Sequence, residues 1–166
     1  MNKMREISIK KICLNIGVGE PGDKLKKAKK LLKLLTGHTP VITKGKKKEP
    51  GLGVRPGLPI GVKVTIRDDI SKLLRRLLEA NENVINKKSF TNSGVSFGIE
   101  EYLLIPGLDY DPELGIMGLD VSVVLQRPGY RVSKRKIKKS RVGKNHMITV
   151  DESIKFMKDN YGVIVK

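Results

Sequence analysis

Apolar residues recur along this chain with two periods, period two marking strands and a period near three and a half marking helices. ISIKKICLNI, residues 7–16, predicts a strand with Ile12, Leu14 and Ile16 on one side and Cys13 and Asn15 on the other. Ile7 and Ile9 are out of phase with that set, which predicts a bulge near Lys10 and Lys11. Val41–Thr43 reads as a short strand. IGVKVTIR, residues 60–67, alternates cleanly, with Ile60, Val62, Val64 and Ile66 toward a core and Gly61, Lys63, Thr65 and Arg67 outward. Val95, Phe97 and Ile99 mark another strand, and Leu103–Ile105 continues apolar. Leu119–Gln126 is a further strand, with Val121, Val123 and Leu125 inward.

Three segments carry the helical period. In residues 24–35, Leu25, Ala28, Leu32 and Leu35 form a stripe flanked by Leu31 and Leu34, opposite a face of Lys24, Lys26, Lys27, Lys29, Lys30 and Lys33. Gly37 stops that helix. Asp68 and Asp69 are placed to cap a second helix and meet its dipole. Its stripe is Ile70, Leu73, Leu74, Leu77 and Leu78, and it frays near Asn81–Asn83. Ile154, Met157 and Tyr161 predict a third helix that docks on the core.

Composition turns this α+β outline toward a binding role. The 166 residues fit one domain, 1–166, with a sizeable core. Lys and Arg total 34 against 17 Asp and Glu, a net charge of +17. Such a field draws polyanions, nucleic acid first. No apolar run is long enough to span a membrane. MNKMREISIKK lacks the apolar core of a signal peptide. A single cysteine allows no internal disulfide and fits a reducing cytoplasm. Three Phe, four Tyr and no Trp argue against a mode built on many stacking platforms.

The charge is laid out in blocks. Lys24 to Lys48 holds ten lysines and no acid, an electrostatic footprint that runs from the first helix into a loop. That loop, Lys44–Pro59, is too long for a simple hairpin and has little apolar content, which predicts a mobile, functional segment. Lys44, Lys46, Lys47 and Lys48 supply phosphate contacts, Leu52 lies beyond them, and the planar fork of Arg55 stands near the tip. The strand faces beside the loop, with Thr43, Lys63, Thr65 and Arg67, are expected to hold RNA. From Ser89 to Gln126 there is no Lys or Arg, and the loop Pro106–Gly118 is acidic. It suits a basic protein partner. From Arg131 to Lys144 eight Lys or Arg occur without an acid. Ordered elements on both sides make this an internal extension, expected to order on RNA. Its cations include Arg131, Lys134, Arg135, Lys136, Lys138, Lys139 and Arg141.

Candidate chemistry is sparse. GVGEPG, residues 17–22, matches G-x-G-x-x-G between a strand and a helix, so a nucleotide-dependent enzyme is the alternative function. No acid follows near Thr43 to meet a ribose, and no strand–helix series follows. The plainer reading is a glycine turn that caps a helix at Asp23. Asp109, Asp111 and Glu113 echo a calcium loop, but Leu114 stands where glycine is required. His38 and His146 have no ligand spacing, His38 reads as a hydrogen-bonding loop residue, and Cys13 as a core residue. No cofactor, metal or small-molecule substrate is implied.

LNIGVGE, TGHTPVITKGKKK, RPGLPIGVKVTIR and FGIEEYLLIPGLDYDPELGIMGLDV, in this order, resemble the large-subunit ribosomal protein five family, whose eukaryotic counterpart is numbered eleven. The likeness covers nearly the whole chain. RPGYRV…VGKNH is similar to the archaeal and eukaryotic branch. The resemblance implies a curved antiparallel β-sheet with helices packed on its convex face and long loops at its rim. It also implies a structural, non-enzymatic component of the ribosome that binds 5S rRNA and attaches it in the central protuberance. It further implies contacts with large-subunit rRNA and peptidyl-site tRNA, and a bridge to the small-subunit head protein thirteen. Asn15 and Thr65 match the family's 5S rRNA contacts. His38 replaces the usual glutamine and keeps hydrogen-bonding capacity, whereas Leu52 replaces the usual loop aromatic and supplies apolar contact only. The loop around Arg55 inherits the tRNA role, and the acidic loop with Asp109, Asp111 and Glu113 becomes the candidate bridge.

Overall fold

Strand β1, Ser8–Gly17, lies at the centre of the fold and pairs along both its edges. The computed structural model describes residues 2–166. Around β1 a six-stranded antiparallel sheet is built in the order β2 (Val41–Lys44), β3 (Pro59–Ile66), β1, β7 (Leu119–Gln126), β6 (Gly94–Ile99) and β5 (Phe90–Thr91). The period-two pattern sets the register. Ile12 stands opposite Ile66 and Val123, and Leu14 opposite Val64 and Val121. All of these are buried on one face. The phase slip in the sequence is a real bulge: Ile9 pairs with Leu125 and Lys11 with Val124, so Lys10 is the extra residue.

Helix α1, Asp23–Thr36, packs against β3, and α2, Ile70–Glu79, against β1. Helix α3, Val150–Tyr161, packs against β5. Leu25, Ala28, Leu31, Leu32 and Leu35 of α1 enter the core, as do Leu73, Leu74, Leu77 and Leu78 of α2. Burying each leucine contributes about 1.5–3 kcal/mol. The two expected flanking residues separate: Leu31 is fully buried, whereas Leu34 is 58 % exposed. A further strand pair, β4 (Val84–Ile85) and β8 (Ile164–Val165), is parallel and joins the segment after α2 to the segment after α3.

Three local expectations are corrected. The α1 N-cap is Gly22, at φ 137°, not Asp23. Asp23 is the first helical residue, and its carboxylate accepts from Lys26 Nζ at 3.0 Å. Asp69 occupies the α2 N-cap position in the left-handed region, φ 49°, and its side chain caps nothing. The loop Lys44–Pro59 does belong to a long hairpin. β2 and β3 pair from Val41↔Lys63 to Lys44↔Pro59, and the ladder runs on through Gly45 N–H to Leu58 O (2.8 Å) and Gly57 N–H to Gly45 O (2.9 Å). Glu49 and Val54 then bridge, closing over a short turn at Pro50–Leu52. Glycine and proline replace alternating apolar residues there, so no period advertised the pairing.

Segment 106–118 carries no helix or strand. It is held by buried Leu114 and by Asp111 N–H, which donates to the Tyr102 hydroxyl at 3.2 Å.

Candidate nucleic-acid interface

The face of the sheet turned away from the helices is built in rows. Lys63, Asn15, Asp120 and Gly98 stand side by side on β3, β1, β7 and β6. Thr65, Cys13, Ser122 and Ser96 form the next row. No residue of either row is buried, although the alternating residues beneath them are. The second row is a band of short polar groups: Thr65 Oγ1 donates to Cys13 Sγ at 3.8 Å, and the Ser96 and Ser122 hydroxyls lie 3.1 Å apart. Cys13 is therefore half-exposed on the open face, not a core residue, because its parity on β1 opposes that of Leu14.

The face is graded in charge. Lys63 is exposed on β3, and Arg67 follows the strand's end; Asp120 is exposed on β7, and Glu100 follows β6. A polyanion is therefore favoured over β3 and β1 and repelled from the β7–β6 side. Asn15 sits where the gradient turns.

The remaining residues predicted for 5S rRNA border this face. Thr43 pairs with Gly61, and a Cβ added at Gly61 would lie 2.9 Å from Thr43 Oγ1 and 2.9 Å from Ile16 O. Glycine thus keeps the hairpin close at this point. His38 lies in the turn between α1 and β2. Its Nδ1 is 2.8 Å from Thr36 O, so Nδ1 carries the hydrogen, and Nε2 of the neutral ring is left as an acceptor. Lys44, Lys46, Lys47, Lys48, Leu52 and Arg55 line the hairpin extension, all exposed, with Leu52 at 77 %.

The basic segment is a folded excursion whose two feet are fastened together. The buried Arg127 guanidinium donates to Arg5 O (3.0 Å), Met147 O (3.3 Å) and Glu152 Oε1 (2.7 Å). Tyr130 Oη donates to His146 O at 3.2 Å and accepts from Ile148 N–H at 3.1 Å. Within the excursion, Arg135 Nε donates to Lys138 O at 2.7 Å. Arg131, Lys134, Lys136, Lys139 and Arg141 are exposed.

The acidic loop is engaged within the chain. Lys30 of α1 reaches Asp111 Oδ2 at 3.0 Å and Glu113 Oε2 at 2.8 Å. Those contacts raise the Lys30 pKa, Glu113 contributing most, and Lys30 lowers that of Asp111. An ammonium thus sits where a calcium reading would want a metal. Among the described residues no group of three or more His, Cys, Asp or Glu is placed to hold one. Asp109 is exposed and takes part in none of these contacts.

The nucleotide reading of GVGEPG fails on geometry. Gly19 and Gly22 do adopt left-handed φ of 81° and 137°. However, the amides of Val18 and Gly19 both donate to Ile60 O at 2.9 Å, so they are not free for a phosphate. β1 is flanked only by antiparallel strands, without the parallel unit the fingerprint requires.

Sequence reasoning missed the roles of Lys30 at the acidic loop and of Arg127 at the root of the basic excursion, neither of which carries a local signal. No helix among the described residues is long and apolar enough to cross a membrane.

Comparison with known proteins is consistent along the chain. The family model for ribosomal protein L5 matches residues 2–55, and the model for the C-terminus of the same ribosomal family matches residues 59–156. The large ribosomal subunit protein uL5 of Nanoarchaeum equitans is 53 % identical over 162 residues, covering 96 % of both chains. Its counterpart in Sulfolobus acidocaldarius is 49 % identical over 99 % of this chain and 93 % of its own. That of Methanospirillum hungatei is 41 % identical over the full length of both.

Proposed function

The chain belongs to the ribosomal protein L5 family, and from that premise we propose that it anchors 5S rRNA to the large ribosomal subunit through the open face of its sheet. It is a structural protein of the large subunit, not an enzyme. The observation that carries the reading is the pairing of Lys63 with Asn15 on an uncovered face, with Thr65 in the adjacent row. Lys63 neutralises a backbone phosphate. Asn15 and Thr65 offer donors and acceptors to ribose hydroxyls and base edges, and His38 adds the Nε2 acceptor at the rim. The strands hold these groups at fixed spacing, so recognition is of shape, with phosphate contacts setting position.

The other surfaces take other partners. Arg131, Lys134, Arg135, Lys136, Lys138, Lys139 and Arg141 contact large-subunit rRNA. With 5S rRNA anchored in the central protuberance, the hairpin extension with Lys44, Lys46, Lys47, Lys48, Leu52 and Arg55 reaches out to peptidyl-site tRNA. Asp109, Asp111 and Glu113 face the basic small-subunit head protein thirteen, with Lys30 offsetting part of their charge. The test is equilibrium binding of labelled 5S rRNA against an unrelated RNA of equal length at several salt concentrations. A preference for 5S rRNA that survives rising salt supports the reading; equal affinity at every salt concentration rejects it.

A further inference from the structure

The bulge in β1 builds a second feature on the open face. Ile12 pairs with Ile66, so Lys11 and Arg67 are the next residues outward on neighbouring strands and continue the rows of Lys63 with Asn15 and Thr65 with Cys13. Lys10, the extra residue, is displaced to the same end of the strand. Lys134, from the basic excursion, is exposed and lies near enough to Lys10 for its charge to bear on it. Four cations from three distant segments therefore gather at one point, and none takes part in an ion pair found among the described residues. The contact with Lys134, then burial, then the charges of Lys134, Lys11 and Arg67 press the Lys10 ammonium down to about 8. Like charges held together without a counter-anion oppose folding, and a bound anion removes that cost.

We propose that Lys10, Lys11, Arg67 and Lys134 form a phosphate-binding site that grips the RNA backbone at the end of the open face. The site rests on the RNA-binding reading above and extends it. It lies four residues along the strand from the Lys63 row, about 13 Å at strand rise, so it takes a different phosphate from Lys63. It also gives the bulge a role. A regular strand would send Lys10 and Lys11 to opposite faces, and one would meet the core. Because Lys134 supplies one wall, the site lies where the 5S rRNA face of the sheet meets the large-subunit rRNA surface of the basic excursion, with Lys134 at the boundary of the two.

The test is acylation of the full chain by an amine-selective reagent at pH 8, read residue by residue by mass spectrometry. It is run alone, with 5S rRNA, and with an unrelated RNA duplex. In the free protein Lys10 reacts ahead of an exposed lysine such as Lys155. Bound phosphate raises its pKa, and at pH 8 the first unit of rise cuts the free amine about fivefold and each further unit about tenfold, so bound RNA protects Lys10 and spares Lys155. Changing all four cations to glutamine lowers the slope of log affinity against log salt by about 0.7–0.9, the equivalent of one phosphate. Undiminished Lys10 reactivity with RNA bound, or an unchanged slope, overturns the site. Equal protection by the duplex and by 5S rRNA supports the phosphate site while overturning the 5S rRNA assignment.

Discussion

Arg127 and Glu152 meet at 2.7 Å with the arginine side chain 7 % exposed and the glutamate 41 % exposed. The pair fastens the root of the basic excursion to the first turn of α3, where Glu152 also accepts from Thr149 N–H in a capping box. Arg127→Met removes the donors that reach Arg5 O, Met147 O and Glu152. The expected loss is about 2–4 kcal/mol, read from urea denaturation. The Thr149 amide, and after it Arg127, hold the Glu152 carboxyl below its ordinary 4.5, against the opposing effect of burial. A lowered carboxylate pKa stabilises the fold above pH 4.5, and that contribution fades as pH falls through the folded value. The variant should therefore differ most from the parent above pH 4.5, and the gap should narrow in acid without closing, because the bonds to Arg5 O and Met147 O do not titrate.

Lys30→Ala should release the acidic loop from α1 without unfolding the core. Faster hydrogen exchange at the Leu114 and Gly115 amides, both bonded to Asp111 O, is the expected sign. Asp111 is lowered from 3.8 and Lys30 raised from 10.5. The docking contribution is therefore present between those values, lost in acid as Asp111 protonates and lost in alkali as Lys30 deprotonates. Unchanged exchange would mean that Leu114 and the Tyr102 hydroxyl hold the loop alone.

Replacing Lys46–Pro56 by a two-residue Asn-Gly turn should preserve the fold, because Gly57 N–H already donates to Gly45 O across that gap. Binding of 5S rRNA should be retained, and crosslinking to peptidyl-site tRNA in reconstituted ribosomes should fall. Loss of 5S rRNA binding would make the extension, not the sheet, the main anchor.

Thr65→Val keeps the shape of the second row and removes one hydroxyl. Its expected effect on 5S rRNA affinity is about 1 kcal/mol, roughly fivefold in Kd, with little change in melting temperature. A large drop in stability instead would assign Thr65 to the Cys13 contact rather than to RNA.

Strand periods and helix stripes were legible because each element buries one face and polar residues fill the other. Val62, Val64 and Ile66 are buried as their alternation requires, and Lys63 and Thr65 are not. The bulge was legible for the same reason. What escaped notice depends on long-range closure. Nothing near Arg127 foretells that residues 5, 147 and 152 converge on it. Nothing near Lys30 points to Asp111, 81 positions away. Leu31 and Leu34 look alike in sequence, and only the packing of α1 on β3 buries one and exposes the other. The capping box of α3 is different: Thr149 and Glu152 spell it openly. In the candidate site the β3 cations were readable from alternation. The acidic side of the same face was not, because only strand order sets Asp120 beside Asn15.

Lys63 is the most direct point of test for anchoring through the open face. Lys63→Glu and, as a control of equal charge change, Lys155→Glu on α3 are compared for 5S rRNA binding across a salt titration. Anchoring through the open face predicts that Lys63→Glu weakens binding by about tenfold or more at low salt and flattens the salt dependence, while Lys155→Glu stays close to the parent. Equal affinity and equal slope for Lys63→Glu and the parent would contradict it.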